Sequence, residues 1–157
     1  MQVVKKRYRP NVAAILQRAD GKILIARRSD YPESWQFPQG GVGKGESAED
    51  ALRREVAEEV ALPVEAYSIA SRKGGYRYDF PTGPDRRGFH GQEQSYFLCL
   101  LAPGAEALVD PGRGCGEFTE SDWVEAGSFP YEVVPPMKQE VYREVLRDFF
   151  GAETESR

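Results

Sequence analysis

The chain has 157 residues, of which 40% are hydrophobic and 29% are charged, and its formal net charge is −4 at pH 7. This balance is typical of a folded globular protein and excludes a disordered or collagen-like chain. The negative charge disfavours a dedicated non-specific nucleic-acid binder, and no apolar run approaches the roughly 20 residues of a membrane span. We therefore expect one domain over residues 1–157, located in the cytoplasm, with no membrane partner and no stable DNA binding.

The first predicted elements are two strands and the turn between them. Apolar runs at residues 12–16 and 22–26 flank Asp20-Gly21, a dipeptide typical of hairpin turns. A glycine-rich loop follows at residues 40–45. Because glycine lets the backbone approach a ligand closely, this loop is a candidate binding segment.

A helical pattern follows the loop, from Ser47 to about Pro63. Ser47 precedes Asp50 by three residues, an arrangement typical of a capping box at the start of a helix. The apolar residues of this helix repeat every four positions, which predicts a stripe that docks on a sheet. That stripe consists of Leu52, Val56 and Val60.

The second half of the chain contains further strand candidates and one helix. Two segments rich in glycine and proline, 81–91 and 102–116, separate some of the strands as loops. After Pro135-Pro136 the apolar residues recur every three to four positions, which predicts an amphipathic helix up to Phe150. Because strands outnumber helices, we expect an α/β (α+β) fold in which helices pack on the faces of a mixed sheet. The strand candidates are residues 65–71, 76–80, 94–101 and 123–124.

Three glutamates share one face of the first predicted helix. Glu55, Glu58 and Glu59 are spaced i, i+3 and i+4, which places them on one side of a helix. One interpretation is a solvated face with salt bridges, since Arg54 can reach Glu58. The other is a metal site, because Glu55 and Glu59 have no basic residue at the neighbouring helical positions and hard divalent cations prefer carboxylate oxygens. The glutamates alone leave both interpretations open.

The glycine-rich loop does not match the common phosphate-binding motifs. Pro38 stands five residues before Gly43, where the Walker motif has glycine, and Gly45 follows Lys44, where that motif has serine or threonine. The dinucleotide-binding spacing GxGxxG is also absent from this loop. We therefore expect the loop to shape a metal–phosphate site rather than to hold phosphates by itself.

Residues 40–62 resemble the signature box of the Nudix hydrolases. That box is a glycine, five residues, a glutamate, seven residues, and then Arg-Glu-aliphatic-x-Glu-Glu-x-Gly-aliphatic. One position departs from it, because Ala61 stands in place of the last glycine. That glycine ends the helix at a positive φ, where alanine costs about 1 kcal/mol if the same backbone is kept. The matching residues are Gly40, Glu46, Arg54, Glu55, Val56, Glu58, Glu59 and Leu62.

Within this superfamily the chain is similar to the bacterial RNA pyrophosphohydrolases, a branch that also includes dinucleoside polyphosphate hydrolases. The resemblance implies a Nudix-type α/β/α sandwich with a mixed sheet. It also implies hydrolysis of phosphoanhydride bonds with Mg²⁺, or Mn²⁺ as a substitute, in RNA 5′-triphosphate ends or in dinucleoside polyphosphates such as diadenosine tetraphosphate. The similar segments are 9–11, 26–28, 35–41, 91–94, 117–118 and 138–150.

The resemblance implies roles for individual residues. Glu117, far along the chain, would be a further metal ligand or the general base. Arg54 would pair with Glu46 and orient a ligand glutamate, and Gly41 would support the loop. The implied metal-binding residues are Glu55, Glu58, Glu59, Glu117 and Gly40, and the implied catalytic residues are Glu58, Glu55, Glu59, Glu117 and Arg54.

The resemblance also implies residues that bind the substrate. In the bacterial enzymes an aromatic residue that stacks on a base precedes the lysine of the last helix, whereas here Met137 precedes Lys138. Methionine can pack on a base but offers no ring. The implied substrate-binding residues are Arg9, Arg28, Gln39, Gln92, Met137 and Lys138.

Two other functions use the same features. A nucleoside triphosphate pyrophosphatase would apply the same glutamates to free nucleotides. A non-catalytic module would sense nucleotides or RNA without turnover, although a sensor has no need to keep all three glutamates. The basic residues at the start of the chain could follow an RNA backbone, or they could simply be solvated.

Overall fold

The computed structural model describes residues 5–151, and none of the helices in that range is long and apolar enough to cross a membrane. Strands and helices alternate irregularly along the chain, with short 3₁₀ turns in several of the connections. The strands are β1 (Tyr8–Gln17), β2 (Ile23–Arg28), β3 (Trp35–Gln36), β4 (Gln39–Gly41), β5 (Tyr67–Asp79), β6 (Gly91–Leu101) and β7 (Phe118–Val124), and the helices are α1 (Ala48–Val60) and α2 (Gln139–Phe150).

The strands form one mixed sheet. Its main order is β3-β2-β1-β6-β5, with β4 paired to β1 and β7 paired to β2. The β1–β6 pair is parallel along the whole of β1, whereas the other pairs are antiparallel. The mixed sheet predicted from the sequence is therefore confirmed.

One helix covers each face of the sheet. Leu52, Val56 and Val60 of α1 are buried in one apolar cluster with the sheet, as predicted. Tyr142 and Val145 of α2 belong to the cluster on the opposite face. The arrangement is the predicted α/β/α sandwich with two separate cores.

The long strand β5 corrects the prediction of two strands at residues 65–71 and 76–80. The pairing of β5 with β6 shifts in register between Ile69 and Ser71 and again between Lys73 and Tyr76. Gly75 lies in the second irregularity with a φ of 87°. The glycines that suggested a break in the sequence instead allow β-bulges within one continuous strand.

Strand β4 also departs from the prediction, since its residues were assigned in part to the glycine-rich loop. Gln39, Gly40 and Gly41 pair with Ala13, Val12 and Asn11 of β1 in an antiparallel register. This pairing fixes the start of the loop to the centre of the sheet. It also brings the loop beside α1, where the predicted metal-binding glutamates lie.

Helix α1 begins and ends as the sequence predicted. The Ser47 hydroxyl accepts a hydrogen bond from the Asp50 amide at 3.1 Å, which satisfies one of the unpaired donors of the first turn. At the other end Ala61 adopts φ 60° and ψ 25°, and its amide donates to the Ala57 carbonyl. Ala61 is the one non-glycine residue with positive φ among residues 5–151, so the backbone expected for the glycine is kept.

Candidate active site

The predicted glutamates of α1 face strand β4, and they differ in burial. Glu59 is only 3% exposed, and its Oε1 accepts a hydrogen bond from the Gln39 amide at 2.8 Å. The Glu55 side chain is 14% exposed, and the Glu58 side chain is 48% exposed. The acidic face therefore runs from the protein interior out to solvent.

Arg54 ties the acidic face to the glycine-rich loop. Its Nε lies 2.9 Å from Glu46 Oε2, so the predicted pair is confirmed. Its Nη2 donates to the Gly41 carbonyl at 3.0 Å, and its Nη1 lies 2.6 Å from Glu55 Oε1. Glu46 also accepts the Gly43 amide, and the two partners lower its pKa to about 2.

The contact between Arg54 and Glu55 corrects one step of the sequence argument. Glu55 was expected to have no basic partner on its own helix, because only positions three and four residues away were considered. Arg54 precedes Glu55 directly, and it reaches the carboxylate by turning toward the loop. The same guanidinium reaches Glu58 only weakly, at 3.5 Å. Glu55 is thus partly neutralised, whereas no described cation is paired with Glu59.

The electrostatics of the cluster come from burial and mutual repulsion. Burial, together with the charges of Glu55, Glu117 and Glu58, raises the pKa of Glu59 to about 9, although the hydrogen bond from the Gln39 backbone amide opposes this shift. Burial also raises the pKa of Glu55 above its usual range in spite of Arg54. The charge of Glu117 contributes to both shifts, and two residues before it the Cys115 amide donates to the Glu58 carbonyl at 2.6 Å, so this segment lies against α1.

The donor set fits a divalent cation in its chemistry. A buried carboxylate with one hydrogen bond and three negative neighbours is stabilised by a nearby cation. A Cβ on Gly40 would lie 2.1 Å from the Glu55 carboxyl carbon, so only glycine lets this acid lie against β4. In the side-chain positions of residues 5–151, no three acidic, cysteine or histidine side chains converge closely enough to hold an ion. Binding of an ion by these carboxylates therefore requires their side chains to move closer together, and Arg54 engages only one oxygen of Glu55.

The predicted substrate-binding residue Lys138 is buried. Lys138 is 3% exposed, its Nζ donates to Gln36 Oε1 at 3.1 Å, and the amine lies 5.5 Å from the centre of the Tyr78 ring. Burial lowers its pKa to about 7, with a further contribution from Arg28. The negative charges of Glu59 and Glu117 act in the opposite direction on this pKa.

Two other residues predicted to bind substrate, Arg28 and Gln92, are held by hydrogen bonds. Arg28 is held by both oxygens of Asp30, at 2.9 and 2.6 Å. Gln92 accepts a hydrogen bond from the Tyr78 hydroxyl, in the strand row that also contains Arg9.

Two further residues predicted to bind substrate are Arg9, beside the glycine-rich loop, and Met137, just before the last helix. A Cβ on Gly41 would lie 2.2 Å from Nη2 of Arg9, so glycine leaves room for that guanidinium. Met137 is partly buried against the α2 core. Position 137 therefore offers a partly buried thioether and no aromatic ring.

A buried amide network supports Gln39, and the sequence did not reveal it. Gln94 is 1% exposed, and its Nε2 donates to Asn11 Oδ1 at 2.8 Å and to Gln39 Oε1 at 3.0 Å. Its Oε1 accepts the Tyr96 hydroxyl at 2.7 Å. The network thus joins β1, β4 and β6 through the side chain of Gln39, whose backbone amide donates to Glu59. Asn11 and Gln94 stand where the polar first parts of β1 and β6 give way to apolar residues, so their sequence context did not mark them as buried or identify their partners.

Comparison with known proteins identifies the family. Residues 7–149 match the family model for the NUDIX domain. The chain belongs to the NUDIX family. A protein named RNA pyrophosphohydrolase from Hahella chejuensis is 40% identical over 153 residues, which cover 90% of each chain. Another with that name from Nitratiruptor sp. is 41% identical and covers 92% of this NUDIX chain and 95% of its own.

Solved structures show the same NUDIX fold. A Caenorhabditis elegans Ap4A hydrolase complex superposes with a TM-score of 0.67 at 19% identity, covering 91% of this chain and 98% of that one. An Escherichia coli dihydroneopterin triphosphate pyrophosphohydrolase gives a TM-score of 0.63 at 21% identity, with coverage of 92% and 97%. At these identities the likeness concerns the fold. The match of residues 7–149 to the NUDIX model confirms the resemblance of residues 40–62 to the Nudix box.

Proposed function

We propose that this NUDIX enzyme hydrolyses phosphoanhydride bonds in 5′-triphosphorylated RNA ends or in dinucleoside polyphosphates. The observation that carries the proposal is a set of carboxylates around buried Glu59, held beside the glycine-rich loop by Arg54, together with the oriented cations Lys138 and Arg28. A polyphosphate accompanied by a divalent cation complements both kinds of charge at once. The relatives named RNA pyrophosphohydrolase, about 40% identical, support RNA as the first substrate to test. We also propose that residues 1–157 act as a single domain in the cytoplasm.

Glu55, Glu58 and Glu59 would hold the divalent cation, with Gly40 leaving the space that Glu55 needs. Mg²⁺ is the proposed ion and Mn²⁺ a substitute, because carboxylate oxygens suit both. A bound ion of this kind neutralises phosphate oxygens and lowers the pKa of a coordinated water molecule. Arg54, held by Glu46, would keep the Glu55 carboxylate near the loop.

The cationic side chains would bind the phosphates. Lys138 is held by Gln36, and Arg28 is held by Asp30, so both cations are oriented before substrate arrives. Orientation in advance reduces the entropy that is lost on binding. Arg9 makes no ion pair with a described carboxylate and would add a third positive group. A polyphosphate would raise the pKa of Lys138 toward its ordinary value and keep the amine charged.

Glu117 would accept the proton of the attacking water or serve as a further ligand. Its backbone carbonyl accepts hydrogen bonds from the amide and hydroxyl of Ser29, at 3.0 and 3.1 Å. These bonds anchor the residue to the end of β2. The carboxylate lies close enough to raise the pKa of both Glu55 and Glu59. A carboxylate whose backbone is anchored in this way beside the cluster is suited to general base catalysis.

The decisive experiment is a substrate panel. Release of phosphate, pyrophosphate or nucleotide is measured for triphosphorylated RNA, diadenosine tetraphosphate and free dNTPs, each with Mg²⁺ and with Mn²⁺. We expect the highest kcat/KM for triphosphorylated RNA or the dinucleoside polyphosphate. A preference for dNTPs would instead assign a nucleoside triphosphate pyrophosphatase. Binding of ligand without any release would assign a sensor module and contradict the proposal.

A further inference from the structure

Positive side chains collect at the end of the sheet where β1 begins. We call this region the basic edge and define it by residues 5–7, just before β1, by residues 77–79 at the end of β5, by residues 91–93 at the start of β6, and by the connecting loop at residues 80–90. It contains six lysines and arginines against three acids, a local charge of +3 on a chain whose net charge is −4. The cations are Lys5, Lys6, Arg7, Arg77, Arg86 and Arg87, and the acids are Asp79, Asp85 and Glu93.

The acids of the basic edge are already engaged. Asp79 pairs with Lys6, and Glu93 pairs with Arg77 at 2.6 Å. Asp85 instead accepts the backbone amides of residues 87 and 89, each at 2.9 Å, and so closes the loop on itself.

Four cations of the basic edge therefore have no carboxylate partner among residues 5–151. Arg86 and Arg87 are exposed, and no ion pair involves either side chain. The Arg7 guanidinium donates to the Arg87 carbonyl at 3.3 Å and lies 4.8 Å from the centre of the Phe89 ring. Lys5 is also exposed. The surface thus presents uncompensated positive charge beside a half-buried aromatic ring.

The basic edge is continuous with the cleft. Three paired residues lie side by side across β1, β6 and β5 at each step along the sheet. One such set is Tyr8, Gly91 and Asp79, and the next, about 3.3 Å further along the strands, is Arg9, Gln92 and Tyr78. Tyr78 lies beneath Lys138, as described above. A chain that leaves the cleft past Arg9 therefore meets the basic edge next.

We propose that the basic edge binds the phosphate backbone of the nucleotides that follow the 5′ end of an RNA substrate. The inference rests on the proposed function and specifies its substrate as a single strand of several nucleotides. Cationic side chains beside an aromatic ring are the features that bind single-stranded nucleic acid without reading its sequence. Contact with an acidic protein would explain the charge but not its continuity with a phosphate-binding cleft.

The test compares two variants that each lose two positive charges. Arg86→Gln/Arg87→Gln alters the basic edge, where neither side chain makes an ion pair. Lys22→Gln/Arg53→Gln is the control, since Lys22 follows the hairpin turn at the opposite end of β1 and Arg53 makes only a 3.5 Å surface pair. Fluorescence anisotropy in EDTA measures binding of a triphosphorylated RNA ten nucleotides long and of a triphosphorylated dinucleotide across a KCl series.

For the longer RNA, we expect the basic-edge variant to reduce the slope of log affinity against log salt. Each lost phosphate contact on a single strand lowers that slope by about 0.7, so the pair lowers it by up to about 1.4. The control variant and the dinucleotide should show the wild-type slope. In turnover assays with Mg²⁺, KM for the longer RNA should rise severalfold, with kcat unchanged.

An unchanged salt slope, or an equal loss of affinity for the dinucleotide, would overturn the proposal. Tighter binding of a polyglutamate peptide than of the RNA would assign the surface to an acidic protein and would also overturn it. If the wild-type protein releases nothing from either RNA, the proposed function fails. The anisotropy series still decides the inference in that case, because it requires no turnover.

Discussion

Glu58 is the most exposed of the three glutamates on α1, and its contact with Arg54 is weak. Its replacement should therefore disturb folding little, whereas loss of a ligand charge should impair turnover. We predict that Glu58→Gln lowers kcat by about two orders of magnitude or more with an unchanged melting temperature. Glu49→Gln on the same helix is the matched control, since Glu49 makes only a surface pair with Arg53. A wild-type rate in Glu58→Gln would remove its assignment as a ligand.

Ala61 adopts the left-handed backbone conformation, which costs alanine conformational energy. Glycine at this position would avoid the steric conflict between Cβ and the following carbonyl, although the unfolded chain would gain entropy. We predict that Ala61→Gly raises the free energy of unfolding by about 0.5–1 kcal/mol. Chemical denaturation measures the change, and Ala57→Gly, an exposed position within α1, should lower stability instead. A loss of stability in Ala61→Gly would contradict the assigned strain.

Lys138 should make stability depend on pH. Its pKa is about 7 in the folded protein and near 10.5 when unfolded, so the unfolded chain binds more protons between these values. The destabilising contribution is complete below pH 7 and disappears as the pH rises toward 10.5. We predict that the Lys138→Met variant exceeds the wild type in free energy of unfolding most strongly below pH 7. The difference between the two proteins should shrink as the pH rises above 7. Thermal unfolding from pH 6 to pH 10 measures the difference, and a constant difference would exclude the lowered pKa.

Strand β4 has only three residues, and the network around Gln94 supports it. Loss of the Gln94 amide leaves the buried oxygens of Asn11 and Gln39 without donors, at about 1–3 kcal/mol for each unsatisfied group. We predict that Gln94→Met lowers stability and also weakens Mn²⁺ binding, because the Gln39 amide that orients Glu59 becomes less fixed. Electron paramagnetic resonance measures free Mn²⁺ directly, without turnover. Ser95→Ala, the neighbouring position on the opposite face, should retain Mn²⁺ affinity, and equal affinity in both variants would exclude this positioning role.

Long elements with a periodic apolar pattern were predictable from the sequence, whereas short strands that depend on pairing with a distant strand were not. Helix α1 carries its cap and apolar stripe within its own residues, so local pattern suffices for it. Strand β4 has too few residues for a periodicity, and its pairing depends on β1. The bulges of β5 resemble loop signals because glycine serves both purposes. The Gln94 network joins three strands that are distant in sequence, so no local pattern could reveal it.

At the scale of the whole molecule, the spacing of the Nudix box led to the correct fold because the box places its chemistry on one helix and one adjoining loop. The position of Glu117 beside that helix was available only through the resemblance, since its spacing from the box depends on the path of a long loop. The burial of Lys138 was not predictable, because it depends on Gln36 and Tyr78 from two other strands. Charge balance across the cleft is therefore a property of the assembled fold.

The central claim is that the carboxylate cluster acts with a divalent cation on a pyrophosphate-containing substrate. The most direct measurement is the rate of pyrophosphate or phosphate release from triphosphorylated RNA as a function of Mg²⁺ concentration. We predict no release in EDTA and a rate of release that rises and saturates with Mg²⁺ concentration. Equal release in EDTA, or no release at any Mg²⁺ concentration while the RNA still binds, would contradict it.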